Sequence, residues 1–100
     1  MVVLLTQEFR GVSREDAEEV SNRLEARENP PAGFIAHVLT DMPGGVRATE
    51  IWESEADFQT FANERLIPTA QALAEERGFS MDGVSDPTFV EAYDVEVPGR

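Results

Sequence analysis

The chain has 100 residues, 20 acidic and eight basic side chains, a formal net charge of -12 and no cysteine. The missing cysteine excludes disulfide frameworks, thiolate metal sites, iron–sulfur clusters and cysteine nucleophiles. The acidity, with every basic residue an Arg and none gathered into a stripe, argues against nucleic acid or an anionic membrane as partner.

A domain of this size buries only about two thirds of its unfolded surface, which leaves scope for a face completed by a partner chain. The apolar run at residues 2–5 is too short for a signal-peptide core or a membrane span. The expectation is one domain over residues 1–100, soluble and cytoplasmic.

Residues 2–9, Val-Val-Leu-Leu-Thr-Gln-Glu-Phe, have the β-branched and aromatic content of a central strand, and Gly11 ends it. Ser13 with Asp16 three residues on starts a helix, along which Ala17, Val20, Ser21 and Leu24 recur at helical spacing. This helix is expected to run to about Glu28 and to stop at Asn29-Pro30-Pro31-Ala32-Gly33. Residues 34–40 read as a second strand, Met42-Pro43-Gly44-Gly45 as a turn of type II chemistry, and residues 46–53 as the returning third strand.

Ser54 with Asp57 repeats the capping pattern, and Phe58, Phe61, Ala62, Arg65 and Leu66 then share a helix face. Pro68 donates no backbone hydrogen bond, so the helix must kink or restart before Ala70, Leu73, Ala74 and Arg77 carry the stripe to Gly78. Residues 79–87 form a loop, and residues 88–97 a fourth strand.

The element order βαββαβ, with right-handed crossovers, is that of an α+β ferredoxin-like fold: a four-stranded antiparallel sheet with both helices on one face. The opposite face is left bare, and side chains such as Ile35, Leu39 and Trp52 are expected on it. An apolar face of that kind marks an interface or a ligand site.

A short hairpin at Pro43-Gly44 makes the numbers of opposed residues sum to 87, which sets His37 against Glu50. Ile35, Leu39, Ala48 and Trp52 then share their face. His37 is the sole histidine, and imidazole is the side chain that exchanges protons most readily near neutrality. Two readings stand: a proton-handling site in an apolar cavity, or a hydrogen bond at a surface or interface. Trp52 is likewise either core bulk or a ligand wall.

Tyr93, on the predicted last strand with Phe89, Glu91 and Val95, either donates its hydroxyl to a substrate oxygen or bonds a backbone carbonyl. Arg47 and Arg65 are candidates for binding a substrate anion, against ion pairs with nearby acids. One His, no Cys and acids at helix-surface spacing match no transition-metal site or calcium loop, so neither metal nor cofactor is expected. Ser13 and Ser54 read as caps, without the flanking glycines of a nucleophile elbow.

The segment Trp52-Glu53-Ser54-Glu55-Ala56-Asp57-Phe58, the aromatic Phe61, the break at Leu66-Ile67-Pro68 and the run Pro31-Ala32-Gly33-Phe34-Ile35-Ala36-His37 resemble the dimeric α/β-barrel superfamily, especially small members grouped with antibiotic-biosynthesis monooxygenases. The resemblance implies a homodimer whose cavity binds a small aromatic or polyketide-like molecule, and some members oxidise electron-rich phenols without metal or flavin. The strand pairing and alternation above make His37, Glu50 and Tyr93 the expected groups for chemistry in such a cavity, with Ile35, Leu39, Trp52 and Phe89 around the substrate. A cyclase or isomerase of the same fold, or a non-catalytic binding or accessory module, is the alternative. No histidine stands on the second helix, which departs from the haem-degrading branch.

Overall fold

A strand whose two faces differ in polarity organises the molecule. In the computed structural model, which describes residues 1–99, Val3, Leu5, Gln7 and Phe9 alternate with Leu4, Thr6, Glu8 and Arg10 along β1 (Val3–Arg10). The more apolar set faces the helices, because burying it removes the larger area from water.

The remaining elements are α1 (Arg14–Leu24), β2 (Phe34–Met42), β3 (Gly45–Trp52), α2 (Glu55–Phe61), α3 (Ile67–Arg77) and β4 (Thr88–Glu91). The sheet order is β2-β3-β1-β4 with every pairing antiparallel. This is the expected ferredoxin-like α+β arrangement.

Both helix starts are capped as their sequences dictate, with the hydroxyl oxygens of Ser13 and Ser54 accepting from the backbone N–H of Asp16 and Asp57 at 3.1 Å. The β2–β3 turn is a two-residue one at Pro43-Gly44, with Gly44 at φ +81° as a type II turn requires. Gly45 beside it meets a packing limit, since a Cβ there would lie 2.2 Å from the carbonyl oxygen of Phe9. Gly45→Ala is therefore expected to cost about 1–3 kcal/mol as β1 and β3 are forced apart. A change under about 0.5 kcal/mol in denaturant titration would contradict that contact.

The Pro68 break takes a specific form. Residues Ala62–Leu66 make one π-helical turn in which the Ile67 N–H reaches the carbonyl of Ala62, and the chain passes through it in right-handed helical conformation. Pro68 then sits in the first turn of α3, where its missing N–H breaks no helical bond. The stripe is thus continuous from Phe58 to Ala74.

Two expectations shift at the ends of elements. α1 stops at Leu24 rather than near Glu28, because Glu25 adopts a left-handed conformation (φ +50°) and its N–H closes on Ser21 O. β4 ends at Glu91, not Val97, so the stretch that follows, Tyr93 included, leaves the sheet. Tyr93 is wholly exposed.

The core gathers Val3, Leu5, Trp52, Phe58, Phe61 and Ala62, with Leu24, Phe34, Leu66 and Phe89 against them. Trp52 is completely buried and its ring meets Phe34, Phe58 and Phe61 at centroid distances of 5.4, 5.5 and 5.3 Å. This corrects the face expected for Trp52 and Leu39, which lie on the helix side. The bare face exists, but it carries Leu4, Val38, Ile51 and Val90. Of these, Leu4, Val38 and Val90 are 37, 53 and 63% exposed.

α1 and α3 are tied by two ion pairs, Arg23 to Glu76 at 2.5 Å and Arg77 to Asp16 at 2.8 Å, and Arg23 also pairs within α1 with Glu19 at 2.9 Å. Hydrogen bonds from the Arg23 guanidinium hold the carboxyls of Glu19 and Glu76 below the usual carboxylate range. A carboxyl depressed on folding stabilises above its unfolded value and loses that contribution as pH falls through the folded value. The stability difference between wild type and Arg23→Gln is accordingly expected to shrink from pH 7 into the acid range, and a difference constant with pH would contradict the coupling.

Candidate functional site

A two-residue turn puts residues whose numbers sum to 87 opposite each other, and the observed register is His37 to Glu50 and Leu39 to Ala48. Leu5 of β1 pairs with Glu50 on its other side and with Phe89 of β4. One row of side chains therefore crosses the sheet beneath the helices.

A β-bulge between Phe34 and Ala36 changes the register at the entry to β2. Phe34 rather than Ile35 pairs with Trp52, and Ile35 falls on the bulge itself, outside the lining of the cavity described next. The alternation that assigned Ile35 to the His37 face holds only after the bulge.

Between the sheet and α1 lies a cavity of about 850 Å³, within the range of small-molecule sites. Its apolar walls include Phe34, Leu39, Val46, Trp52, Phe58 and Phe61, and the stripe of α1 contributes Ala17, Val20 and Leu24. Residues 25–28, just past α1, form a further wall.

Inside it, the Glu50 carboxylate joins two polar groups. Oε2 lies 2.5 Å from His37 Nδ1, and Oε1 accepts the Trp52 Nε1–H at 2.9 Å. The Glu50 side chain is 11% exposed and that of His37 is 32% exposed. An ionised carboxylate is acceptor-only, so Nδ1 is the donor of this pair, and whenever the ring is neutral Nε2 keeps its lone pair. The chemical capacity is that of a base oriented by a carboxylate, which is itself held by an indole.

The expected site residues divide accordingly. His37, Glu50, Leu39 and Trp52 come together in the cavity, on the helix side of the sheet. Phe89 packs in the core against Phe58 at 5.8 Å, away from the cavity lining. Tyr93 is left in solvent beyond β4.

Arg47 pairs with Glu8 at 2.7 Å, as expected of an ion pair. Arg65 instead donates to the backbone carbonyls of Leu24 and Asn29. Gln7 lines the cavity and donates from Nε2 to Ser85 O at 2.9 Å. It was missed, although period-2 alternation from Leu5 points to it. No cluster of three or more His, Cys, Asp or Glu able to hold a metal occurs among the described residues.

No protein-family model matches the chain, and no curated protein sequence is significantly similar to it. Solved structures are similar in fold. Rv0793 from Mycobacterium tuberculosis superimposes with a TM-score of 0.67 at 14% identity, over 97% of this chain and 100% of that one. SnoaB from Streptomyces nogalater, a cofactor-independent oxygenase, gives 0.59 at 19% identity over 94% of each chain. An antibiotic biosynthesis monooxygenase gives 0.60 at 16% identity, over 94% of this chain and 100% of that one. The chain has the fold of the antibiotic-biosynthesis-monooxygenase-like proteins.

Proposed function

We propose that the protein is a homodimeric, cofactor-independent oxygenase of the cytoplasm that takes a small, electron-rich aromatic or polyketide-like substrate into the cavity under α1. The observation that carries this reading is the Glu50 carboxylate bridging His37 Nδ1 and Trp52 Nε1 inside an apolar cavity. His37 Nε2 accepts a proton from an acidic substrate hydroxyl, and Glu50 stabilises the imidazolium that results. The substrate anion, shielded from water by aromatic walls, passes an electron to dioxygen, the resulting radical and superoxide combine in a C–O bond, and the peroxide, protonated by the imidazolium, loses water to leave a ketone, so that the substrate itself supplies all the electrons. The structural likeness to a cofactor-independent oxygenase supports the choice over a cyclase of the same fold.

The homodimer is supported by the exposed apolar side chains of Leu4, Val38 and Val90 on the outer sheet face. Light scattering is expected to report twice the monomer mass, and Val38→Asp with Val90→Asp to return a monomer. A wild-type monomer at micromolar concentration would remove the dimer from the proposal.

The activity is tested with chelator-treated protein and a panel of hydroxynaphthalenes, following oxygen uptake and product mass. Trp52 is the only Trp of the chain and lines the cavity, so its fluorescence reports occupancy. Saturable quenching with oxygen uptake supports the oxygenase. Quenching with unchanged substrate identifies a binding module, and isomerised product with no oxygen uptake identifies the cyclase or isomerase class. No quenching across the panel overturns the choice of ligand class.

A further inference from the structure

α1 ends where its sequence provides no glycine: Leu24 is followed by Glu25 in a left-handed conformation and then by Ala26, Arg27 and Glu28, which wall the cavity. The local backbone bonds of this wall, Glu25 N–H to Ser21 O at 3.3 Å and Asn29 N–H to Glu25 O at 2.8 Å, tie it only to itself and to α1. Two longer-range bonds come from one side chain. Arg65 donates from Nη2 to Leu24 O at 2.5 Å and from Nη1 to Asn29 O at 3.1 Å, bracketing the segment at both ends.

Arg65 stands on the π-helical turn Ala62–Leu66, and its guanidinium lies 5.4 Å from the centroid of the Phe61 ring. Phe61 and Leu66, on either side of it in the chain, line the same cavity. The planar fork satisfies a carbonyl at the C-terminus of α1, where a cation is favoured by the helix dipole, and reaches a second carbonyl five residues on. An ammonium has no such fork.

We propose that Arg65 is a positioning residue that holds the wall at residues 24–29 against the π turn and thereby sets the rates at which a ligand enters and leaves the cavity. The inference rests on the reading of that cavity as a small-molecule site. With the latch in place the wall opens rarely and ligand exchange is slow. Without it the wall opens more often, and entry and exit accelerate together while the contacts that bind the ligand are unchanged.

The test compares wild type with Arg65→Met and Arg65→Lys as full-length protein. Hydrogen exchange at the amides of Glu25 and Asn29 in the ligand-free protein is expected to speed up about ten-fold in Arg65→Met, with the central amides of β1 and β3 unchanged. Stopped-flow quenching of Trp52 by 2-naphthol is expected to show on- and off-rates both raised about ten-fold, with Kd within about two-fold of wild type. Arg65→Lys, which keeps the charge and at most part of the bracket, is expected between the two. If Arg65→Met does not fold, Arg65→Lys alone carries both measurements.

A wall that exchanges as in wild type overturns the inference. So does a loosened wall with unchanged naphthol rates, or a uniform rise in exchange across the sheet, which would mark Arg65 as a general stabiliser. Absence of naphthol quenching in wild type is a different result: it overturns the ligand class proposed for the cavity, and the gating inference falls with it.

Discussion

Replacing Trp52 with Ala is expected to lower folding stability by about 3–5 kcal/mol, the range for deleting a large aromatic from a packed interior. The side chain is fully buried and contacts three other rings, two near edge-on and one tilted, so the space it leaves is bordered by rigid aromatic groups on several sides. Rings already packed in this way collapse poorly into a void, which places the effect toward the upper end. The measurement is the shift in urea midpoint at constant m value. Trp52→Phe keeps one six-membered ring in the cluster and removes the rest of the indole together with the Nε1–H that Glu50 accepts, so its loss combines a smaller packing defect with the missing hydrogen bond. It is expected to lose about 1–2 kcal/mol. A loss below about 1 kcal/mol in Trp52→Ala would show that the aromatic cluster is not the centre of the core.

The second large effect is expected on turnover. His37→Ala removes the only imidazole of the chain, and loss of a general base slows reaction by about 10²–10⁴-fold. Ligand affinity, carried by the aromatic walls, should change little, so the loss falls in kcat. Glu50→Gln tests the orientation. A carboxamide offers one acceptor oxygen and one NH₂ donor in place of two acceptor oxygens. If its oxygen stays with the Trp52 Nε1–H, its NH₂ meets His37 Nδ1, and Nδ1 becomes the acceptor while the proton moves to Nε2. The base is then blocked at the atom that faces substrate. Glu50→Gln is therefore expected to approach His37→Ala in kcat while 2-naphthol still quenches Trp52. Full turnover in both variants would remove the dyad from the mechanism, whatever the ligand proves to be.

Much of the fold was legible because its signals are local. Ser13 and Ser54 accept bonds three residues on, and the Pro43-Gly44 turn admits a two-residue hairpin, which is why the pairing of His37 with Glu50 followed from counting. Alternation placed His37, Leu39, Ala48, Glu50 and Trp52 together. It does not say which face of the sheet the helices cover, and the bare face was the wrong choice. The relevant signal was comparative: Val46, Ala48 and Trp52, with Glu50 among them, are more apolar as a set than Arg47, Thr49 and Ile51, and the helices cover the former set. Ile35 was misplaced because a bulge shifts register by one residue, and nothing in the chain around Phe34 announces it. Tyr93 was misplaced because β-prone residues continue past Glu91, while β1, the strand they would pair with, pairs with β4 only from Val3 onward.

The element order, the caps, the hairpin register and the pairing of the one histidine with a carboxylate were all readable along the chain, since each depends on bonds or alternation between near neighbours. Long-range packing settles that this pair faces the helices, that Trp52 completes it from within the core, and that α1 stops at Leu24 with Arg65 on its last carbonyl. Those outcomes depend on groups tens of residues apart. The free energy of bringing such groups together comes from burying one face and not the other, and alternation alone does not say which face that is.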